Sequence, residues 1–287
     1  MPELPEVETV RLQLLHKILN KPIAKIKVFN EKMVGNDTNF AKKLIGKSFD
    51  NIDRIGKLLI FSFKNEEDLF LLTHLKMTGQ FFYVDKQEVV GGGHSSRTDD
   101  SKDLPNKHTR ITFNFEDGSS LFFNDMRMFG YMKIANAKEV QTAKAKFGQE
   151  PISDDFDYQK FSEKIKRKNT AIKATLLDQT LVAGLGNIYV DEALFLAGVL
   201  PIRKTSEVSE KEIKSIIKAG GKVMKKSITY GGTTFQHFVD TGGETGNYTD
   251  FLKVFGKQNT PCPKCKTLIQ KTRVAGRGTH FCPNCQK

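Results

Sequence analysis

The amino-acid sequence predicts an α+β protein of several domains, and three observations predict it. Up to residue 135, apolar residues alternate with polar ones or run together in short stretches, separated by Gly, Asn and Asp turn signals, as in a β-sandwich. Beyond residue 136 the apolar period lengthens to that of helices. All four cysteines then fall near the C-terminus as two C-x-x-C pairs. The expected organisation is an N-terminal β-sandwich with flanking helices over residues 1–135, a linker over 136–150, a helical domain over 151–249 and a zinc module over 250–287.

The elements follow in order. Residues 5–20 read as a helix: Pro5 suits the first turn, Glu6 and Glu8 complement the positive end of the helix dipole, and Val7, Val10 and Leu14 share a face. Strands are expected over 23–29, 49–55, 57–63, 69–75, 80–84, 110–115, 120–124 and 131–135. The polar stretch 85–107, with GGGHSS and TDDSKD, reads as a long surface loop. Helices are expected over 158–181, 187–198 and 207–227, and the Gly/Thr-rich stretch Tyr230–Tyr248 as a flexible loop.

Charge narrows the function. The net charge of +12 and the absence of any Asp or Glu in residues 251–287 make a polyanion the first partner to consider. A Lys-rich chain can merely reflect genome composition, which accounts for residue type better than for this local asymmetry. No apolar run approaches the ~20 residues of a membrane helix. The acidic opening MPELPEVETV is unlike a signal peptide. A soluble cytoplasmic protein is expected, with no membrane association.

Cys262-Pro-Lys-Cys265 and Cys282-Pro-Asn-Cys285 have the spacing of a tetrahedral zinc site with two knuckles. Four thiolates fill the coordination sphere, so the single ion is expected to be structural. Thr272–Val274 and Thr279–Phe281 are the expected hairpin arms, with Ala275-Gly276-Arg277-Gly278 at the tip, where glycines let the backbone approach a phosphate.

MPELPEVETV, HLKMTG, DMRMFG, LLDQTLVAGLGNIYVDEALF, YGGTTFQHFVDTGGETGNY and VAGRGTHFCPNCQK occur in this order, and together they resemble the bacterial formamidopyrimidine-DNA glycosylases over essentially the whole chain. The resemblance implies a helix–two-turn–helix in the C-terminal domain and a partner in double-stranded DNA carrying an oxidised base. It implies a bifunctional glycosylase and AP lyase of base-excision repair that removes oxidised purines and cuts the strand by β,δ-elimination, acting as a monomer on nucleoid DNA. Removal of Met1 would leave Pro2 a secondary amine able to attack C1′ of the damaged nucleotide. An α-amino group titrates near ~7.7–8, so part of it is unprotonated at neutral pH. Glu3 would shuttle protons, Lys57 would assist at the lesion phosphate or sugar, and Arg277 would bind phosphate and assist the final elimination.

The same resemblance assigns DNA contacts. Met77, Arg127 and Phe129 match the wedge that fills the gap left by a flipped nucleotide. Singly, Met77 and Phe129 would more often be core residues, but Thr78-Gly79 and Gly130 beside them point to turns. His74 and His108 match DNA contacts, as do Lys168 and Asn187 around the Gly184–Gly186 turn, and Lys173 matches a basic position near that grip. Tyr230–Tyr248 matches the lesion-covering loop. Two departures stand out: Met128 where many relatives have a second arginine, and Arg110 where they have a second histidine. The stretch 85–107 is also unlike most relatives.

Two alternatives compete. A sister class removes oxidised pyrimidines with the same Pro-Glu machinery, but typically opens PEGPE, where this chain has Leu4, and carries other wedge residues. A non-catalytic zinc-dependent DNA-binding protein would keep the basic tail and lose the chemistry; intact Pro2, Glu3 and Lys57 oppose it.

Overall fold

The computed structural model describes residues 2–85, 89–93, 103–233 and 248–287. The chain forms two compact units, one from residues 1–144 and 230–249, the other from 145–229 and 250–287.

Helix α1 (Leu4–Ile18) opens the first unit. Pro5 lies in its first turn, where a missing N–H costs nothing, and the Glu3 N–H donates to Glu6 Oε2 at 2.8 Å. Its buried face, Val7, Val10, Leu14 and Ile18, packs on two antiparallel sheets. The first sheet has the order β2 (Phe49–Ile55), β3 (Leu58–Phe63), β4 (Glu66–His74) and β9 (Tyr131–Ala135). The second has β1 (Ile23–Val28), β7 (Thr109–Phe115), β8 (Ser120–Asp125), β5 (Gly79–Val84) and β6 (Val89–Gly93). Rings from opposite sheets meet in the core: Phe61 lies 6.1 Å from Phe81, and Phe49 lies 6.0 Å from Phe113. This is the expected sandwich, with strand bounds close to those read from the sequence. Two short helices, α2 (Phe40–Leu44) and α3 (Ala137–Lys144), were not expected.

The stretch 85–107 is not wholly a loop. Val89–Gly93 forms β6, paired with β5 from Val84↔Val89 to Gln80↔Gly93. Glycine carries no side-chain period to read, yet its backbone satisfies a sheet edge like any other. Residues 94–102 lie outside the described residues.

In the second unit the helix expected over 158–181 is divided into α4 (Tyr158–Ile165) and α5 (Ile172–Leu177). Between them the Ile172 N–H donates to Arg203 O (2.7 Å), and the Thr205 N–H to Thr170 O (2.8 Å). An extended pairing to a remote segment thus replaces helical bonds that the local sequence would otherwise favour. Helices α6 (Asn187–Ala197) and α7 (Glu210–Thr229) match expectation. The final hairpin joins β10 (Gln270–Val274) to β11 (Arg277–Phe281) through Ala275-Gly276, at φ 48 and 72. Two consecutive left-handed residues make the tight primed turn. Arg277 therefore opens β11 instead of sitting within a four-residue tip. No helix among the described residues is long and apolar enough to cross a membrane.

Candidate active site and nucleic-acid interface

Strand register gathers the candidate residues of the first unit at one end of the sandwich. Leu58 pairs with His74 and His74 with Tyr131 in one sheet; Gly79 pairs with Asp125 and Asn124 with Thr109 in the other. The turn bearing Lys57, residues 75–78 bearing Met77, residues 126–130 bearing Arg127 and Phe129, and His108 all lie just beyond those pairs. Helix α1 runs toward the same end. Leu19 bridges Phe49, Arg11 donates to Ile52 O (3.0 Å), and Glu8 accepts from Arg54 Nε (2.8 Å). Continued by one helical turn, this ladder leads Pro2 and Glu3 toward Gly56-Lys57.

These groups are held firmly. Glu3 is only 2% exposed and Lys57 7%, so Lys57 is not the solvent-facing strand-end lysine that composition would favour. Gly56, at φ 57, makes the turn, and its carbonyl accepts from Arg54 Nη1 (2.9 Å). Burial opposes the charge of Glu8, but the Arg11 and Arg54 guanidiniums outweigh it and hold the carboxyl below its usual range. Glu6 Oε1 accepts from Thr233 N (2.7 Å) and Thr233 Oγ1 (2.9 Å), which brings the start of the glycine-rich stretch over the opening of α1. The remainder of the expected lesion-covering loop, residues 234–247, lies outside the described residues, as does Met1.

Burial, reinforced by the charges of Lys76 and Lys57, depresses His74 to about 3. Its Nδ1 accepts from the Lys76 N–H (2.9 Å), so the neutral ring carries its proton on Nε2. His74 is thus a fixed single donor, in the field of Lys57.

At the tip of residues 126–130, Met126, Met128 and Phe129 are 48%, 51% and 55% exposed, and the Arg127 guanidinium lies 4.9 Å from the Phe129 ring centre. Large apolar side chains held in water around an arginine suit insertion into a base stack. Met128 adopts φ 57 and its sulfur meets Asn30 Nδ2 at 3.2 Å. Arg110 donates to Asp125 O (2.8 Å) and Lys107 O (3.1 Å), which makes it a brace for this end of the sandwich.

The second unit brings Asn187, Lys173 and the finger hairpin together. Asn187 Nδ2 and Lys173 Nζ both donate to Gly278 O, at 3.0 Å each, beside the exposed Arg277. Lys173, near the grip as its sequence position implies, is fully buried and paired with Asp191 at 2.6 Å, so its charge serves the interior and not a phosphate. Asp191 also accepts from the His280 N–H (2.8 Å). Its neighbour Glu192 accepts the backbone N–H groups of Lys253, Val254 and Phe255, seating the segment before the finger on α6. Lys168 is partly exposed and 3.7 Å from Asp178. Gly184, at φ 88, makes the turn before α6, and Gln179 bridges Gly184 N (2.9 Å) and Leu185 O (2.8 Å).

The ligand atoms of Cys262, Cys265, Cys282 and Cys285 lie within 4.8 Å of one another. Sulfur separations of 3.9 Å (Cys262–Cys285) and 3.5 Å (Cys265–Cys282) match the roughly 3.8 Å that a tetrahedral ion with Zn–S of about 2.3 Å demands. Lys264 N and Cys285 N each point at a cysteine sulfur at 3.4 Å, as thiolates in zinc knuckles require. Four thiolates need a divalent cation, and these residues fit one structural zinc.

Three domain families match: the formamidopyrimidine-DNA glycosylase N-terminal domain over residues 1–132, the H2TH domain of the same glycosylases over 147–239, and the zinc finger they share with isoleucyl-tRNA synthetases over 260–287. The chain belongs to the formamidopyrimidine-DNA glycosylase family. It is 41% identical to the formamidopyrimidine-DNA glycosylase of a Listeria monocytogenes strain and 37% identical to that of Geobacillus kaustophilus, each over the full length of both chains. Its fold is similar to that of the Lactococcus lactis glycosylase in complex with abasic-site DNA (TM-score 0.87, 37% identity, both chains fully covered). It is also similar to a MutM complexed with DNA containing carbocyclic 8-oxoguanine (TM-score 0.85, 36% identity, both chains fully covered). Against this glycosylase frame, the sequence reading missed the buried acids Glu6, Asp125, Asp191 and Glu192. One signal was available: Asp191 and Glu192 interrupt an otherwise apolar helix, where an acid needs a partner.

Proposed function

We propose that this chain is a bifunctional DNA glycosylase and AP lyase that excises oxidised purines such as 8-oxoguanine and formamidopyrimidines. The observation that carries the reading is that α1 runs toward the end of the sandwich that holds the buried Lys57, the half-buried Met77 and the exposed Arg127 and Phe129. Once Met1 is removed, the Pro2 nitrogen attacks C1′. The C1′–base bond breaks, and the departing base takes a proton with Glu3 as the donor-acceptor group. The C1′–O4′ bond then breaks as O4′ takes up a proton, which opens the sugar and leaves an iminium between Pro2 and C1′. This acidifies C2′–H, whose loss breaks C3′–O, and a second elimination breaks C5′–O. Lys57 and His74 serve the sugar and phosphate at the lesion, while Arg277 binds its phosphate and assists the last elimination.

Met77, Arg127 and Phe129 fill the vacated stack, and Asn187, Lys168 and His108 hold the backbone. In this division residues 1–135 carry the chemistry, residues 151–249 the helix–two-turn–helix grip, and residues 250–287 the finger, whose zinc supplies structure only. The protein works as a cytoplasmic monomer on nucleoid DNA. Borohydride reduction during reaction with an 8-oxoguanine duplex tests this: a covalent adduct is expected, and peptide mapping should place it on the Pro2 nitrogen. Cleavage favouring oxidised pyrimidines would transfer the chain to the sister activity, and binding without adduct would reduce it to a DNA clamp.

A further inference from the structure

Asp125 is fully buried; among the described residues no cationic side chain bonds its carboxylate, and every polar atom it has makes a hydrogen bond. Oδ1 accepts from the Thr78 hydroxyl and from the Arg127 N–H (3.2 Å), and Oδ2 accepts from the Gly130 N–H (2.7 Å). Thr78 Oγ1 in turn accepts from the Arg127 N–H (3.0 Å). On the main chain, the Asp125 N–H donates to His108 O (2.9 Å), and its carbonyl accepts from Arg110 Nε (2.8 Å). One residue thus ties together residues 75–78, 108–110 and 126–130.

The topology shows why such a tie is needed. Residues 75–78 pass from β4 to β5 and residues 126–130 from β8 to β9, so each crosses between the two sheets and lacks strand partners. The tip exposes large apolar side chains above this network. Asp125 binds both ends of the 126–130 connection while gripping the neighbouring connection through Thr78. Gly130 completes the fit: a Cβ there would stand 2.9 Å from Phe123 Cζ and 3.0 Å from Asp125 Oδ2.

We propose that Asp125, acting through Thr78, is a positioning residue that makes Met77 on one connection and Arg127-Phe129 on the other a single rigid wedge. The proposal rests on the glycosylase reading above. A carboxylate suits the role because three donors converge on it. The amide of Asp125→Asn would turn an NH2 group on at least one of them, and Thr78→Val removes the hydroxyl while keeping the shape. A wedge in two independently moving halves loses its ordering advantage when it must displace a paired nucleotide. It loses little where the nucleotide is already unpaired.

Single-turnover excision of 8-oxoguanine tests this with two substrates: the lesion paired with cytosine, and the lesion with its two neighbours facing non-complementary bases. Relative to wild type on each substrate, Asp125→Asn and Thr78→Val are expected to lose about ten- to a hundredfold on the paired lesion. On the opened lesion each should stay within about threefold, under half of one such hydrogen bond's worth. Thr78→Ser, which keeps the hydroxyl, should restore the paired-lesion rate. Equal losses on both substrates, no loss on the paired one, or failure of Thr78→Ser to restore it would overturn the proposal. Thermal unfolding accompanies each variant, and should Asp125→Asn not fold, the Val/Ser pair at Thr78 decides alone. Wild-type protein that cut neither substrate would refute the glycosylase reading itself, and the proposal with it.

Discussion

Lys173→Met removes one charge from a pair whose two side chains are both 0% exposed and 2.6 Å apart. Asp191 would remain buried with the His280 N–H at 2.8 Å as its principal donor. Stranding one member of a buried pair costs about 3–5 kcal/mol, a large share of the roughly 5–15 kcal/mol that holds a domain folded. The loss should appear as a lowered urea midpoint of the zinc-loaded protein, with little change in slope. It should also slow excision, since Gly278 O loses one of the two donors that seat the backbone next to Arg277. The informative control is Lys173→Met with Asp191→Asn: the amide oxygen still accepts from His280 N, but no charge is stranded. More than half of the lost stability should return. A single variant within about 1 kcal/mol of wild type, or a double variant no better than the single, would refute the argument that a buried, stranded charge dominates at this position.

Three further outcomes are expected. Because His74 is held at about 3 against an ordinary 6.5, the unfolded chain gains a proton that the folded one refuses. Stability should therefore fall as pH drops from 6.5 toward 3, by up to ~1.4 kcal/mol per pH unit, and His74→Gln should flatten that limb of the pH–stability curve. Stripping zinc with a chelator should unfold the finger, since structural zinc is worth ~10–16 kcal/mol to such modules; DNA affinity should fall and hydrogen exchange over residues 260–287 should rise. Gly232→Ala places a Cβ at φ +91 and 3.1 Å from Glu6 Cγ, so it should cost about 1–2 kcal/mol in unfolding assays and slow excision by loosening Thr233 from Glu6.

Sandwich, helices and zinc module were legible because each rests on a local repeat: two residues for a strand, about three and a half for a helix, and the C-x-x-C spacing for the metal. Where the reading failed, the cause was remote. The helix drawn through 158–181 broke because residues 170–172 pair with 203–205, and β6 was missed because its glycines carry no period while its partner strand supplies the bonds.

What the sequence by itself determined is the inventory: Pro2-Glu3 at the head of a helix, four cysteines in register, glycines where the chain must turn, and the order of motifs that marks the family. Tertiary structure alone decided which charges are working surfaces and which are internal fastenings. Lys57, Lys168 and Lys173 look alike in the sequence, yet one is enclosed beside His74, one lies half-exposed near Asp178, and one is sealed against Asp191. The physical reason is that the energy of a charge depends on solvent and partners brought from distant positions, whereas a helix or strand period depends on its neighbours in the chain.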